Sequence, residues 1–386
     1  MNFFTHERKR AVLSSLLEMD ITNPKCKNFN KIQIEKNMKL LATLFLFMAT
    51  NLWAESCKEF FKSETLLKEV SILNELNKEG LLWKGFDLSN ELVIFTDVKK
   101  FPRCFALYKN LRIISEVETN EGIDIPNGIY NFFHPYNRPK LERLGSELKK
   151  HDANFSMLVS LHSWELFPEY LSRIIAGNYF VSNLIFHEAF HLFVQIKSLI
   201  DPDAGVLWPK WGANGSDRDQ LIIKCYQNKL VKDLFDKEVQ SLFMASQLLY
   251  LFGDSKLAVE AAKDFISYRK KRYKKLNSNN VKVPRDEGSY VSCPDAEAEW
   301  EITEGVANYV GAMVLRNANL MTPFQFIEYA RTTVTKDAFY SFGQMELYLL
   351  RGLFPNEFDL IIEKINNSSN IKNNIFNIFT LYLKGP

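Results

Sequence analysis

The sequence predicts an α+β protein in which a mixed sheet precedes a mainly helical region. Between residues 91 and 162, short apolar or alternating runs are separated by Asp, Asn, Gly and Pro, which is typical of strands. After residue 220, apolar residues recur at helical spacing instead. The 386 residues are 46% hydrophobic and 24% charged, which allows a sizeable core in one large or two modest domains. A net charge of +2 indicates no particular partner.

The N-terminal segment has the pattern of an export signal. Residues 1–37 are polar and basic, and we interpret them as a non-native or disordered extension that precedes the true start at Met38. A positively charged start then leads into an uncharged apolar stretch ending at Ala54, which predicts a signal peptide over residues 38–54. The stretch is shorter than the roughly 20 residues that span a membrane, and the alternative is a buried or anchoring helix. We expect a secreted or periplasmic protein with no stable membrane span after signal cleavage.

Export would make disulfides possible, and four cysteines follow the predicted cleavage site. An even number permits two bonds in any of three pairings. We expect Cys57–Cys104 and Cys225–Cys293, because each pair falls within one of the two predicted regions. None of these cysteines has the close C-x-x-C spacing of a cysteine metal site.

The two predicted regions are an N-terminal α/β region, residues 55–165, and a mainly helical region, residues 166–386. A helix is expected over residues 57–77. The predicted strands are residues 91–96, 104–108, 111–117, 128–133 and 155–162. The predicted helices of the second region are residues 181–200, 221–231, 238–252, 256–276, 296–315, 337–351 and 357–365, with a further helix start at Pro323. Residues 201–219 contain several Pro and Gly residues and are expected to form a loop.

Residues 181–200 are apolar on nearly all sides, yet they carry the motif His-Glu-Ala-Phe-His at residues 187–191. This HExxH pattern places two imidazoles one helical turn apart on one face, close enough to bind one Zn²⁺. Glu188 would lie beside the metal, where a carboxylate can take a proton from a water activated there. Buried polar groups need partners, and a metal ion is such a partner. The alternative is a pair of histidines hydrogen-bonded in the core, with Glu188 in an ion pair.

A third ligand is expected within residues 296–315. No histidine follows His191, so a downstream ligand must be a carboxylate or Cys293. Polar residues fall at i, i+4, i+7 and i+11 along one face of this otherwise apolar helix: Glu297, Glu301, Glu304 and Asn308. Carboxylates in such a helix are costly without a cation.

With residues 303–310 (TEGVANYV), the motif resembles the gluzincins, the group of zincin metallopeptidases that includes thermolysin and the aminopeptidase N family. The resemblance implies a zincin-like fold and one Zn²⁺ per chain held by His187, His191 and Glu304. It implies that Glu188 is the general base in the hydrolysis of a peptide bond. It also implies that Asn308 stands beside the ligands, in the place often held by aspartate.

The sequence departs from those families in one respect. Glu304 follows His191 by 113 positions, far more than in the named families, so an insertion is expected between the two ligand helices. Glu301 is a weaker alternative ligand. A solvated or ion-paired environment is expected for both Glu297 and Glu301.

Two further features of such an enzyme can be sought in the chain. Hydrolysis needs a donor for the oxyanion, for which Tyr340 is our first choice and Tyr309 and Tyr348 are alternatives. In zincin-type enzymes an edge strand lies along the cleft, where an extended peptide can add to it, and residues 154–162 are our candidate. We expect His134 and His162 to be structural residues.

The run Arg-Lys-Lys-Arg-Tyr-Lys-Lys at residues 269–275 is the strongest charge feature of the chain. We expect a solvated helix end with favourable dipole interactions; the alternative is an anionic partner such as a membrane surface, cell-wall polymer or nucleic acid. The expected partner overall is a peptide or protein substrate, without nucleic acid. A zinc hydrolase of a non-peptide amide or ester, and a non-catalytic exported binding protein, are the alternatives.

Overall fold

The computed structural model describes residues 57–77, 83, 86–97, 100–120, 129–133, 142–151, 155–161, 180–196, 225–226, 228–284, 290–366 and 374–384. The chain divides into two compact units, Met1–Lys58 and Glu59–Pro386. Only Cys57 and Lys58 of the first unit are described, so the architecture below is that of the second. The predicted N-terminal extension, signal peptide and loop, together with His134 and His162, lie outside the described residues.

The described chain is α+β, with a small mixed sheet and a mainly helical remainder, as the sequence predicts. The sheet contains β1 (Val93–Asp97), β2 (Phe101–Lys109), β3 (Arg112–Glu118), β4 (Ile129–Phe133) and β5 (Phe155–Ser160). All five strands were predicted, and their bounds differ from the prediction by a few residues. Alternation between apolar and turn-forming residues is a local signal, which explains this agreement.

The strand order is β3-β2-β1-β5-β4, with β1 and β5 parallel and the other neighbours antiparallel. Because β5 lies between β1 and β4, the prediction that residues 154–162 form an edge strand was wrong. The composition of β5 explains its position. Met157, Leu158 and Val159 are all fully buried, and such a continuous apolar run is typical of a strand covered on both faces.

Ten α-helices accompany the strands among the described residues. They are α1 (Glu64–Asn77), α2 (Glu142–Lys150), α3 (Phe180–Phe190), α4 (Lys229–Tyr250), α5 (Ser255–Ser278), α6 (Cys293–Trp300), α7 (Val306–Asn317), α8 (Pro323–Leu353), α9 (Phe358–Asn366) and α10 (Ile375–Lys384). A π-helical turn, His191–Ile196, continues α3, and a second, Glu301–Gly305, joins α6 to α7. A two-stranded ribbon of β6 (Lys282–Pro284) and β7 (Tyr290–Ser292) precedes α6.

Two helices are longer than predicted. Helix α4 is continuous where the sequence suggested a break between residues 231 and 238, because the polar residues there form an exposed face. Lys232 and Asp236 make an exposed i,i+4 ion pair of 3.1 Å on that face. Helix α8 likewise runs unbroken for 31 residues, and Thr322 closes a capping box at its predicted start.

Helix α3 is buried, as its apolar sequence predicts. Ile185, Phe186 and Ala189 are inaccessible or nearly so. Helix α7 packs directly against it at Gly311, where a β-carbon would lie only 2.6 Å from the side-chain oxygen of Asn183. This close approach places α7 beside the histidine motif.

The predicted disulfide between Cys225 and Cys293 is present, and Cys57 and Cys104 are also disulfide-bonded. The Cys225–Cys293 bond joins a residue shortly before α4 to the first residue of α6. It lies in a buried apolar cluster that includes Trp300. None of the described helices is long and apolar enough to cross a membrane.

A buried carboxyl supports the start of α3. Glu69 of α1 accepts a hydrogen bond of 3.3 Å from the hydroxyl of Ser182, and both residues are buried. Burial raises the pKa of Glu69 to about 7, outweighing the lowering by Ser182 and Lys68. The neutral carboxyl is therefore the form that the fold favours.

This pKa predicts a pH-dependent stability. A carboxyl whose pKa is raised from 4.5 in the unfolded chain to about 7 in the fold stabilises the protein at low pH, and that contribution is lost between those values. Wild type therefore loses stability as the pH rises, whereas Glu69→Gln stays neutral and does not. The free energy of unfolding of Glu69→Gln minus that of wild type should increase by up to about 3 kcal/mol between about pH 5 and about pH 8. Urea denaturation across this range measures it, with the exposed Glu75→Gln as control. A difference that does not change with pH would contradict the assignment.

Candidate metal centre

The three predicted metal ligands converge although they are far apart in sequence. The Nε2 atoms of His187 and His191 are 3.0 Å apart, and Glu304 Oε2 lies 3.3 Å from the first and 3.2 Å from the second. All three side chains are buried. Histidine, cysteine, aspartate and glutamate are the side chains considered as metal ligands. Among the residues that the structure describes, His187, His191 and Glu304 are the one group of three or more of them that could hold a metal ion.

Both π-helical turns carry a residue of this group. His191 is the first residue of one turn, and Glu304 is the fourth residue of the other. A π-helical turn is wider than an α-helical turn and redirects the side chains that follow it, and such turns are frequent at functional sites. Glu301 and Glu304 both lie in the second turn but have different partners, because Glu301 pairs with Arg269 and Glu304 faces the histidines.

The carboxylate and the histidines depend on one another electrostatically. Burial disfavours a charge on His191, but Glu304, together with Glu188 and Gln195, outweighs this effect and raises the pKa of His191 to about 9. In turn, the histidines outweigh the effect of burial on Glu304 and hold the pKa of its carboxyl well below its usual range. The carboxylate therefore needs a positive partner, which is a proton on the histidines or a metal ion. Metal binding near neutral pH would release that proton.

The two residues predicted to act on a substrate lie next to this group. Glu188 is half-buried, and its charge contributes to the raised pKa of His191. The ring of Tyr340 is nearly parallel to that of His187, with 6.3 Å between centroids, and it also contacts Trp300. A general base and a phenol are thus both available at the site.

The alternative tyrosines lie in the helical core instead. The Tyr309 hydroxyl accepts a hydrogen bond of 3.4 Å from Arg351, and Tyr348 stacks on Tyr250 with 3.7 Å between centroids. Among the described contacts of the three candidate tyrosines, only that of Tyr340 with His187 involves a proposed metal ligand.

Asn308 was expected beside the ligands, but its side chain bonds to two residues of α8. Its amide nitrogen donates to Gln344 at 2.5 Å, and its amide oxygen accepts from the hydroxyl of Tyr329 at 3.0 Å. The structure instead places Gln195 beside His191, with 2.6 Å between Gln195 Oε1 and His191 Nδ1. Gln195 was not predicted as a site residue, although its position four residues after His191 in a buried helix was a usable signal.

Glu297 and Glu301, the other two carboxylates of the predicted polar face, bind arginines. Arg272 pairs with Glu297 at 2.7 Å, and Arg269 pairs with Glu301. Of the two environments expected for Glu297 and Glu301, solvated or ion-paired, the structure shows ion pairs, and both residues are fully buried. Glu238 completes the network by bonding to both arginines.

The network corrects the interpretation of the basic run, because Arg269 and Arg272 are fully buried rather than solvated. Their i,i+3 spacing places both on the inner face of α5, whereas the neighbouring Lys270, Lys271 and Lys274 are exposed. Glu346 also binds Arg269, so four buried carboxyls surround two guanidinium groups. The carboxyls outnumber the guanidinium groups by two. Burial raises the pKa of Glu346 although Arg269 beside it lowers that pKa, which favours the protonated form of Glu346.

None of the family models, curated proteins or solved structures with which the chain was compared matches it.

Removing one arginine of the network should destabilise the fold strongly. Arg272→Met leaves Glu297 buried without its cation and leaves Glu238 with Arg269 alone, which costs about 3–5 kcal/mol. The adjacent exposed Lys271→Met is the matched control and should change the free energy of unfolding by about 0.5 kcal/mol or less. Urea denaturation of both variants measures the difference. Equal effects would show that the buried pairs do not support the helices that carry the site.

The position of Glu304 should depend on a contact between two glycines. A β-carbon at Gly305 would lie 2.7 Å from the α-carbon of Gly343, so α8 touches the backbone of the turn that carries Glu304. We expect Gly305→Ala to displace this turn and weaken zinc binding roughly tenfold or more, measured by competition with a chelator. Gly253→Ala is the control: Gly253 has φ +70° in open space, so the substitution should cost about 1–2 kcal/mol of stability without changing zinc affinity. Equal zinc affinity in both variants would contradict this prediction.

Proposed function

We propose that the protein is an exported, zincin-like zinc metallopeptidase of the gluzincin type. The observation that carries the proposal is the meeting of both HExxH histidines with Glu304 across 113 positions of sequence. Buried titratable groups whose pKa values are shifted by one another are candidates for a functional site, and His191 and Glu304 are such a pair.

The donor set fits Zn²⁺. Two imidazole nitrogens and one carboxylate oxygen are typical ligands of catalytic zinc, and three protein ligands leave a fourth position for water or substrate. The histidines present their Nε2 atoms to one another and to Glu304, and these ligand atoms all lie within 4.8 Å of one another. Small side-chain movements would suffice to place all three around one ion.

The residues of the chain have distinct roles in this proposal. A zinc ion held by His187, His191 and Glu304 would supply a Lewis acid for the scissile carbonyl and for the attacking water. Glu188, half-buried next to His187, would accept a proton from the attacking water and pass it to the leaving amine. Tyr340 lies against His187, where its phenol is available to donate a hydrogen bond to the oxyanion.

The disulfides support export. The Cys225–Cys293 bond is buried, and Cys57 and Cys104 are bonded as well. Disulfides persist in oxidising compartments and are rare in the cytosol. A secreted or periplasmic location agrees with the predicted signal peptide.

Replacing the proposed general base should separate catalysis from metal binding. We expect Glu188→Gln to keep one zinc per chain by elemental analysis but to lose about 10²–10⁴-fold of its activity, because no base remains to take the proton. The substrates are a library of quenched fluorescent peptides, tested beside a panel of simple amides and esters. The exposed Glu357→Gln is the control and should retain full activity.

The same assay decides between the alternatives. Cleavage of amides or esters without cleavage of any peptide would indicate a non-peptide hydrolase. A wild-type protein without zinc after supplementation would contradict the enzyme proposal and favour a binding protein. Undiminished peptide cleavage by Glu188→Gln would show that another group is the base.

A further inference from the structure

The hydrogen bonds of Gln195 determine where the hydrogen of the His191 ring lies. The Gln195 amide nitrogen faces two backbone carbonyl oxygens, 3.2 Å from Ile302 and 3.0 Å from Thr303. Carbonyl oxygens only accept hydrogen bonds, so the group that faces them must be the NH₂ of the amide. The amide oxygen is therefore the atom that faces His191 Nδ1, at 2.6 Å.

The same reasoning extends to the imidazole. An amide oxygen also only accepts, so His191 Nδ1 must donate and carries a hydrogen. A neutral imidazole carries a single hydrogen, which leaves the lone pair on Nε2. That nitrogen is the one that faces His187 and Glu304, at 3.0 and 3.2 Å.

We infer that Gln195 is a positioning residue that holds His191 in the form and orientation needed to bind the metal. It also links the two ligand helices, because Ile302 and Thr303 immediately precede Glu304 on the second π-helical turn. Gln195 is buried, so water does not compete for these bonds. The inference rests on the proposed metal site and is independent of the proposed peptidase activity.

Two substitutions separate this role from a structural one. Gln195→Met removes both the acceptor for His191 Nδ1 and the donors for the two carbonyls. Gln195→Glu keeps an acceptor for Nδ1 but places a carboxyl against the carbonyl oxygens of Ile302 and Thr303. Both variants should be less stable than wild type, whereas only Gln195→Met should lose the support of the ligand.

The experiment measures Zn²⁺ affinity of the full chain by competition with a chelator. We expect Gln195→Met to bind Zn²⁺ about 10–100-fold more weakly than wild type, and Gln195→Glu to lose clearly less affinity than Gln195→Met because it keeps the acceptor for His191 Nδ1. The control is Gln344→Met, which removes a buried glutamine that bonds to Asn308 and not to a metal ligand. Its Zn²⁺ affinity should be unchanged.

A spectroscopic readout accompanies the affinities. In the zinc-loaded wild type, the Nδ1 hydrogen of His191 should give a slowly exchanging, low-field proton resonance. That resonance should persist in Gln195→Glu and Gln344→Met and disappear or shift in Gln195→Met.

The outcomes distinguish this inference from the proposed function. The inference would be overturned if Gln195→Met and Gln195→Glu lost equal Zn²⁺ affinity and each loss paralleled the loss of stability. Gln195 would then be only a structural link between the two helices. Unchanged affinity in Gln195→Met would overturn it as well. Either result leaves the metal site intact, whereas a wild type that binds no Zn²⁺ would overturn the proposed function and this inference together.

Discussion

A buried carboxylate can be kept ionised only beside a positive partner, and Glu304 is in that position between two histidines. The contact between Glu304 and the histidines is formed by tertiary packing, because Glu304 lies 113 positions after His191. The helices therefore have to cross closely, and they do so where side chains are missing. Because Gly311 has no side chain, α7 can pack closely against α3. In the same way, the backbone at Gly305 packs against the backbone of Gly343 in α8. The geometry of the site thus depends on the packing of three helices rather than on the HExxH motif alone.

The segment between the two ligand helices supplies much of the support. Arg269 and Arg272 of α5 bind Glu301 and Glu297, which precede Glu304 on the same continuous helical stretch. Buried ion pairs contribute less to stability than apolar packing would, but they are directional and tolerate few alternative arrangements. The disulfide at Cys293 fixes the first residue of α6 to the segment before α4. The segment predicted to be an insertion between the two ligand helices therefore helps to orient Glu304.

Local patterns in the sequence predicted the local features. The five strands followed from alternation, and the pair His187 and His191 followed from i,i+4 spacing. Glu304 came from a resemblance combined with the absence of later histidines. The burial of Arg272 could not be predicted, because its partners Glu238 and Glu297 lie 34 and 25 positions away, and a run of cations resembles a solvated surface. The π-helical turns have no sequence signature, so the different partners of Glu301 and Glu304 became visible only in three dimensions.

X-ray diffraction from zinc-loaded crystals, recorded on both sides of the zinc absorption edge, is the most direct test of this account. It predicts one anomalous peak about 2.0–2.2 Å from the Nε2 atoms of His187 and His191 and from a carboxylate oxygen of Glu304. A peak bound by Glu301 or by surface residues would show that the three side chains are not the metal ligands. The absence of any peak would show that their convergence serves the core alone.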